Sequence, residues 1–184
     1  MRKSTRAIAL IGTTAVLFSA MALPASAAPT GDTPATTTVT GGSLDITVPT
    51  VSVPLGAAIP GASTTSVALG DMVVNDTRAG TAGWVASAAV TDFTSTATMK
   101  SDGITPASIP ATAVAYTAPA ATKTGTVTVT ATSPTSVAAA TAVQTATAVS
   151  GNNTATWSPT IVITVPADAL AATDYTATFT HSVA

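Results

Sequence analysis

The chain has no cysteine and no glutamate, and its charged and aromatic side chains are few. Without cysteine, disulfides, thiolate metal ligands and cysteine nucleophiles are excluded. Charged residues make up 8% and aromatic residues 4% of the 184 residues, so threonine and serine hydroxyls must keep a folded domain soluble. Because helix formers such as glutamate, lysine, glutamine and arginine are scarce, a surface helix would lack a proper polar face.

Threonine, valine and alanine dominate what is present, with 12 glycines and 12 prolines between the apolar stretches. Threonine and valine are β-branched and favour strands. Short β-branched segments separated by turn residues are typical of antiparallel sandwiches and barrels. The sequence therefore predicts an all-β protein, a single antiparallel β-sandwich of the immunoglobulin-like kind, in a chain long enough for one core.

The N-terminus has the three regions of a secretory signal peptide. Basic residues at positions 2, 3 and 6 precede an apolar run over 7–23, and Pro-Ala-Ser-Ala-Ala at 24–28 supplies a cleavage site. The apolar run is at the short limit for a membrane span, which favours cleavage over a membrane anchor. We expect a signal peptide over 1–27, with cleavage after Ala28 as the close alternative, a flexible lead-in over 28–42 and a β-sandwich domain over 43–184.

The exported chain is expected to be acidic and free of a membrane span. Eight aspartates remain beside three basic residues, Arg78, Lys100 and Lys123. Nucleic acid and anionic membranes repel such a surface, so neither is expected as a partner. The sequence thus predicts a secreted protein that is extracellular or associated with the cell wall.

Runs of β-branched and apolar residues predict strands over 43–48, 66–75, 84–93, 112–116, 125–132, 154–165 and 174–183. A bulge is expected at Gly70, a hairpin between 66–75 and 84–93, and a turn at Gly151-Asn152-Asn153. The alanine-rich stretch 137–149 fits either a strand pair or a short helix. Because the last segment alternates most regularly, we expect it to be a central strand of the sheet.

The chain shows no recognisable catalytic motif. His181 is the single histidine, and neither paired carboxylates nor a nucleophile elbow accompanies it. Its place on the apolar face of the last predicted strand favours a core or rim position over a catalytic or metal-binding one. Since a glycine-rich phosphate loop is also missing, we expect a non-enzymatic protein without metal or cofactor.

Two tryptophans and one charged pair are the other residues that could bind a ligand. Burial in the core is favoured for Trp84 and Trp157, since large apolar side chains are mostly buried. The alternative is an exposed ring that stacks on a sugar. Asp71, Asn75 and Asp76 cluster around a turn, where a turn role for Asp76 is favoured over a calcium site, since such a site needs six or more oxygens. An ion pair between Asp76 and Arg78 across the turn is the other alternative.

Four stretches of the chain carry a family resemblance: 73–78 (Val-Val-Asn-Asp-Thr-Arg), 83–86 (Gly-Trp-Val-Ala), 161–167 (Ile-Val-Ile-Thr-Val-Pro-Ala) and 174–183 (Asp-Tyr-Thr-Ala-Thr-Phe-Thr-His-Ser-Val). In order and spacing they resemble the WxL-type cell-surface domain of Gram-positive bacteria. Ala86 stands where the first motif has leucine, and His181 and Val183 stand where the second has tryptophan and leucine. The resemblance implies a β-sandwich that attaches non-covalently to peptidoglycan or assembles with other surface proteins.

Together these features predict a secreted, non-enzymatic, WxL-like surface protein that associates with cell-wall peptidoglycan or with a surface protein assembly. Its expected ligand-binding residues are Trp84, His181, Asp76 and Arg78. The alternative is a self-assembling structural module, comparable to a pilin or a surface-layer protein, without glycan binding. An exposed edge strand would favour that alternative, because strand addition joins β-domains through backbone hydrogen bonds.

Overall fold

A computed structural model describes residues 31–184, and the signal peptide expected over 1–27 lies outside them. Residues 31–43 are exposed and contain no helix or strand. From Leu44 onward the chain forms eleven β-strands and one short 3₁₀ helix, Ala111–Ala113. The described part is therefore all-β, as the composition predicts, and it contains no helix that is long and apolar enough to cross a membrane.

The strands pair antiparallel in two sheets and one separate ribbon. Their bounds are β1 Leu44–Thr47, β2 Val67–Ala68, β3 Met72–Asp76, β4 Trp84–Val90, β5 Phe93–Met99, β6 Pro106–Ile109, β7 Val114–Thr117, β8 Thr122–Ala131, β9 Thr141–Trp157, β10 Thr160–Ile163 and β11 Phe179–Val183. The large sheet contains β1, β3, β4, β8, β9 and β11, the small sheet has the order β2-β10-β7, and β5 pairs with β6.

The long strand β9 organises the large sheet. One edge of β9 pairs with β8 from Thr156 to Gln144. The other edge pairs with β4 around Ala146 and with β3 around Ala155. Since β11 lies outside β4 and β1 lies outside β3, the sheet has four rows: β8, β9, β3 with β4, and β1 with β11.

The expected hairpin between 66–75 and 84–93 does not form. Gly70 divides the first of these segments into β2, which joins the small sheet, and β3, which joins the large one. β3 and β4 then follow one another along the same edge of β9, connected by residues 77–83. β3 and β4 thus each pair with the long strand β9, whereas the prediction paired them with each other.

β9 also continues through residues 151–153, so the prediction of a turn there is wrong. The first part of β9 covers most of the alanine-rich stretch 137–149. Positive φ angles at Ala148 (50°) and Gly151 (73°) bend the strand without ending it. The pairing with β8 shifts its register between Thr124 and Thr128, which absorbs the irregularity.

One hydrophobic cluster joins the two sheets into a β-sandwich core. Alternate residues of β4 are buried, as expected for a strand with one face on a core. The cluster includes residues from β3, β4 and β9 of the large sheet and from β7 and β10 of the small one, among them Val74, Trp84, Ala86, Val143, Ala155, Trp157, Val114, Tyr116 and Ile161. Burial of these side chains supplies the main stabilisation of a domain that has no disulfide.

The last strand lies at an edge of the large sheet, so the expectation of a central strand is wrong. β11 pairs only with β4, and the preceding residues 174–178 contribute a single isolated bridge, Thr94 to Thr176. The regular alternation arises because one face of the strand packs on the core, with Phe179, His181 and Val183 half-buried. Such a pattern reports a buried face and gives no information on whether both edges are paired.

Candidate functional site

Three of the four expected binding residues meet where β3 ends and β4 begins. Asp76 and Arg78 form the ion pair that their spacing indicates as one alternative, with Arg78 Nε 2.9 Å from Asp76 Oδ1 and Nη2 3.0 Å from Oδ2. Asn153 of β9 connects this pair to Trp84. Its Nδ2 donates to Asp76 Oδ2 at 3.1 Å, and its Oδ1 accepts a hydrogen bond from Trp84 Nε1 at 3.1 Å.

The Asp76 carboxylate is buried and fully engaged in this network. Its hydrogen bond to the Arg78 guanidinium lowers the pKa of Asp76 by more than burial raises it. Arg78 also donates from Nη2 to the carbonyls of Ala82 and Gly83, each at 3.2 Å. The network therefore fixes the 77–83 connection against β9, which gives it a structural role.

Trp84 does not offer a ring face to a ligand. Its exposed fraction is 2%, and the same value holds for Trp157, so both indoles belong to the core. Sugar stacking on Trp84 is thus excluded by its burial, and of the two alternatives for the tryptophans burial is the one observed. Within this network, Arg78 is the member whose side chain reaches solvent, with 31% of it exposed.

A wide cleft lies between two irregular segments, 48–60 and 170–178. Its volume is about 1310 Å³, and its floor consists of buried core side chains from several strands and loops: Leu69, Met72, Phe93, Ile109, Ile163 and Val165. At its rim, Val51, Ile59 and Leu170 are 80%, 75% and 42% exposed. Floor and rim are therefore both apolar, as in sites that hold small molecules or extended chains.

His181, the fourth expected residue, also borders the cleft, apart from the Asp76 network. Its Nε2 lies 3.1 Å from the Tyr116 hydroxyl, and the two ring centroids are 5.8 Å apart. Burial lowers the pKa of His181 and raises the pKa of Tyr116 to about 12. The Tyr116 hydroxyl and the His181 imidazole therefore share one hydrogen bond, whose direction is set by the imidazole tautomer, and this arrangement matches the expected core or rim position.

Asp174 holds one wall of the cleft in place, a role that no sequence pattern indicates. Its carboxylate accepts hydrogen bonds from Ser95 Oγ and from the backbone N–H groups of Thr96 and Ala97, the last two at 2.8 and 2.9 Å. The Ser95 hydroxyl and these N–H groups lower the pKa of Asp174 to about 2. Its partners are almost eighty positions away, so no local pattern could indicate them.

Residues 31–184 contain no cluster of three or more histidine, cysteine or acidic side chains that could hold a metal ion. Comparison of the chain with protein-family models, with curated proteins and with solved structures finds no match.

The stretches that resemble the WxL-type domain overlap β3, β4, β10 and β11. Two of them are neighbours in the large sheet, where Ala86 is opposite Val183 and Ala88 is opposite His181.

Proposed function

We propose that this chain is a secreted, non-enzymatic surface protein that associates non-covalently with cell-wall peptidoglycan through the cleft between 48–60 and 170–178. The signal-type N-terminus and the WxL resemblance support the location at the cell surface. The cleft is the observation that carries the proposal, because it supplies an open concave surface with an apolar floor and rim and with polar groups along its walls.

Peptidoglycan presents hydroxyl and amide groups beside the apolar faces of sugar rings and the methyl groups of its peptides. The cleft offers complementary chemistry. Tyr175 and Phe179 contribute half-buried rings, and the irregular backbone of 48–60 contributes polar groups outside any ladder. Ligand sites commonly combine a largely apolar lining with a few polar groups that fix orientation.

The polar side chains at the cleft support binding without catalysis. The His181 imidazole is engaged by the Tyr116 hydroxyl, and both oxygens of the Asp174 carboxylate accept hydrogen bonds. A general base or nucleophile needs a free, correctly oriented group near the reacting atoms. These side chains hold the walls of the cleft instead.

Co-sedimentation with purified peptidoglycan tests the proposal. The double variant Ile59→Asp/Leu170→Asp places charges on the apolar rim and should weaken binding at least about tenfold, or about 1.4 kcal/mol. Ile104→Asp is the matched control, since Ile104 is 82% exposed and lies outside the cleft. The control should bind like the wild type with an unchanged circular dichroism spectrum. Absence of wild-type binding, or equal binding by the rim variant, would contradict the proposal.

A second candidate function is the self-assembling surface module, in which copies of the chain are one another's partners. It is favoured by one specific observation, the unpaired outer edge of β8, a strand of ten residues. Unpaired strand edges are templates for strand addition by another chain.

A further inference from the structure

β8 presents the longest strand edge in residues 31–184 that has no pairing partner. Its inner edge follows β9, and no strand lies beyond its outer edge. Lys123 Nζ donates to the carbonyl of Val127 at 2.6 Å, and the register shifts between Thr124 and Thr128. A lysine and a bulge both discourage pairing, so residues 128–131, which follow them, form the regular part of the edge.

This part of β8 has a simple two-sided pattern. Thr128 and Thr130 are exposed, whereas Val129 and Ala131 are half-buried. A strand added here would place alternate residues on the same two sides, because the side-chain period is two. The edge therefore suits a segment in which threonines alternate with residues that can cover the apolar side.

The segment at 36–40 (Thr-Thr-Thr-Val-Thr), hereafter the donor segment, has this pattern. Thr36, Thr38 and Thr40 would share one side, and Thr37 and Val39 the other. Every residue of the donor segment is exposed, with Val39 at 82%, and none is in a strand. Added to β8, its threonines extend the threonine side, and Val39 covers the half-buried apolar side beside Val129.

The β8 edge of the same copy is out of reach for this segment. Gly42 is fixed beside β3 by a 2.7 Å hydrogen bond from its N–H to the carbonyl of Thr77. A strand beyond β8 would lie four spacings from the β1 row, about 19 Å. Thr40 is two residues from Gly42, and two extended residues span only about 7 Å. The occupant must therefore come from another molecule.

We infer that the donor segment of one copy adds as a strand to the outer edge of β8 in a second copy. This inference rests on the second candidate function, self-assembly. Gly42, from which the donor segment extends, is fixed in the β1 row, and β8 is the row at the other side of the sheet, so each copy can give a strand at one side and receive one at the other. Such a head-to-tail contact does not close on itself by necessity and produces linear chains of molecules.

Sedimentation velocity of the full chain, purified after export from an expression host, tests self-assembly over a range of concentrations. The wild type should form a series of oligomers that grow with concentration. Thr37→Pro/Val39→Pro removes two backbone N–H groups from the donor segment and should leave only monomer. Val39→Thr keeps the backbone donors and the β-branched side chain and should still assemble. All three should share one circular dichroism spectrum, since the donor segment makes no strand contact within its own copy.

Cysteine cross-linking locates the contact, because the chain has no cysteine of its own. Two single variants, Thr38→Cys and Thr128→Cys, are mixed and oxidised, and should give a disulfide-linked heterodimer. Thr38→Cys mixed with Ser101→Cys is the matched control and should remain monomeric under denaturing conditions. Cross-linking of the control pair to the same extent would overturn the inference.

The outcomes separate this inference from the proposals it accompanies. A wild type that stays monomeric at every concentration would overturn both self-assembly and the donor segment. Oligomers that persist in the Thr37→Pro/Val39→Pro variant would preserve self-assembly but overturn the donor segment. The rim variant Ile59→Asp/Leu170→Asp should assemble normally, so loss of peptidoglycan binding and loss of assembly are distinguishable.

Discussion

At the scale of single residues, the charged and aromatic side chains act mainly as structural supports. The spacing of Asp76 and Arg78 indicated their ion pair as one alternative, because both flank one turn. Asn153 could not be assigned, since it is brought to them by pairing across 77 positions. The residues expected to bind a ligand around Trp84 do lie together. In the structure they form hydrogen bonds within one network that includes Asn153.

Replacing Asp76 by alanine should destabilise the domain by about 1–3 kcal/mol, because Arg78 and the Asn153 amide lose their acceptor and the Asn153 amide remains buried. Urea unfolding measures the change. Asp71→Ala is the control, since Asp71 is exposed and its carboxylate has no hydrogen bond in the described chain. Equal stability of the two variants would contradict a structural role for the network.

The same carboxylate should contribute to acid sensitivity. Arg78 lowers the folded-state pKa of Asp76 below its ordinary value of 3.8. Its stabilising effect is therefore complete above pH 3.8 and is lost as the pH falls through the lower, folded value. In unfolding curves, the gap between wild type and Asp76→Ala should narrow below about pH 4. A gap that stays constant to lower pH would argue against the charged pair as its source.

His181 should make stability depend on pH in a separate, higher range. Burial lowers its pKa from 6.5, so between the folded value and 6.5 the unfolded chain binds more protons. Stability should therefore fall as the pH drops below about 6.5, measured by urea midpoints. His181→Gln removes the titrating group, and its midpoints should be flat over the same range. An identical slope in both proteins would exclude His181 as the cause.

At the scale of elements, β9 explains most differences between expectation and structure. Local patterns located strands correctly around 44–47, 84–90 and 122–131, because β-branched alternation reflects a buried face. They could not show that Gly151 and Asn153 lie within one long strand, since turn residues also occur at bends and bulges. Nor could they identify partners, since pairing depends on residues far apart in the chain.

Replacement of two glycines near the bend of β9 by alanine should lower the stability of the domain by different amounts. Gly125 and Gly151 have φ angles of 75° and 73°, where a side chain costs about 1–2 kcal/mol. A Cβ at Gly125 would lie 2.3 Å from the Asn152 carbonyl oxygen, whereas at Gly151 nothing lies within 4 Å. Thermal unfolding should show a clearly larger loss for Gly125→Ala than for Gly151→Ala. The reverse order would contradict the described β8–β9 packing.

At the scale of the whole molecule, the composition predicted the all-β class because too few residues favour helices. The cleft could not be predicted in the same way. Its floor combines side chains from 69 to 165 in the sequence, and its walls are irregular segments with no periodicity. Asp174 holds one wall through hydrogen bonds from β5, a strand that only the assembled fold brings to it.

The most direct measurement is NMR mapping of the labelled protein as soluble peptidoglycan fragments are added. We expect concentration-dependent shifts of amide signals in 48–60 and 170–178 and of the His181 side chain, with Arg78 and the outer edge of β8 unchanged. Shifts confined to another surface, or no shifts at saturating fragment, would contradict the cleft as the wall-binding site.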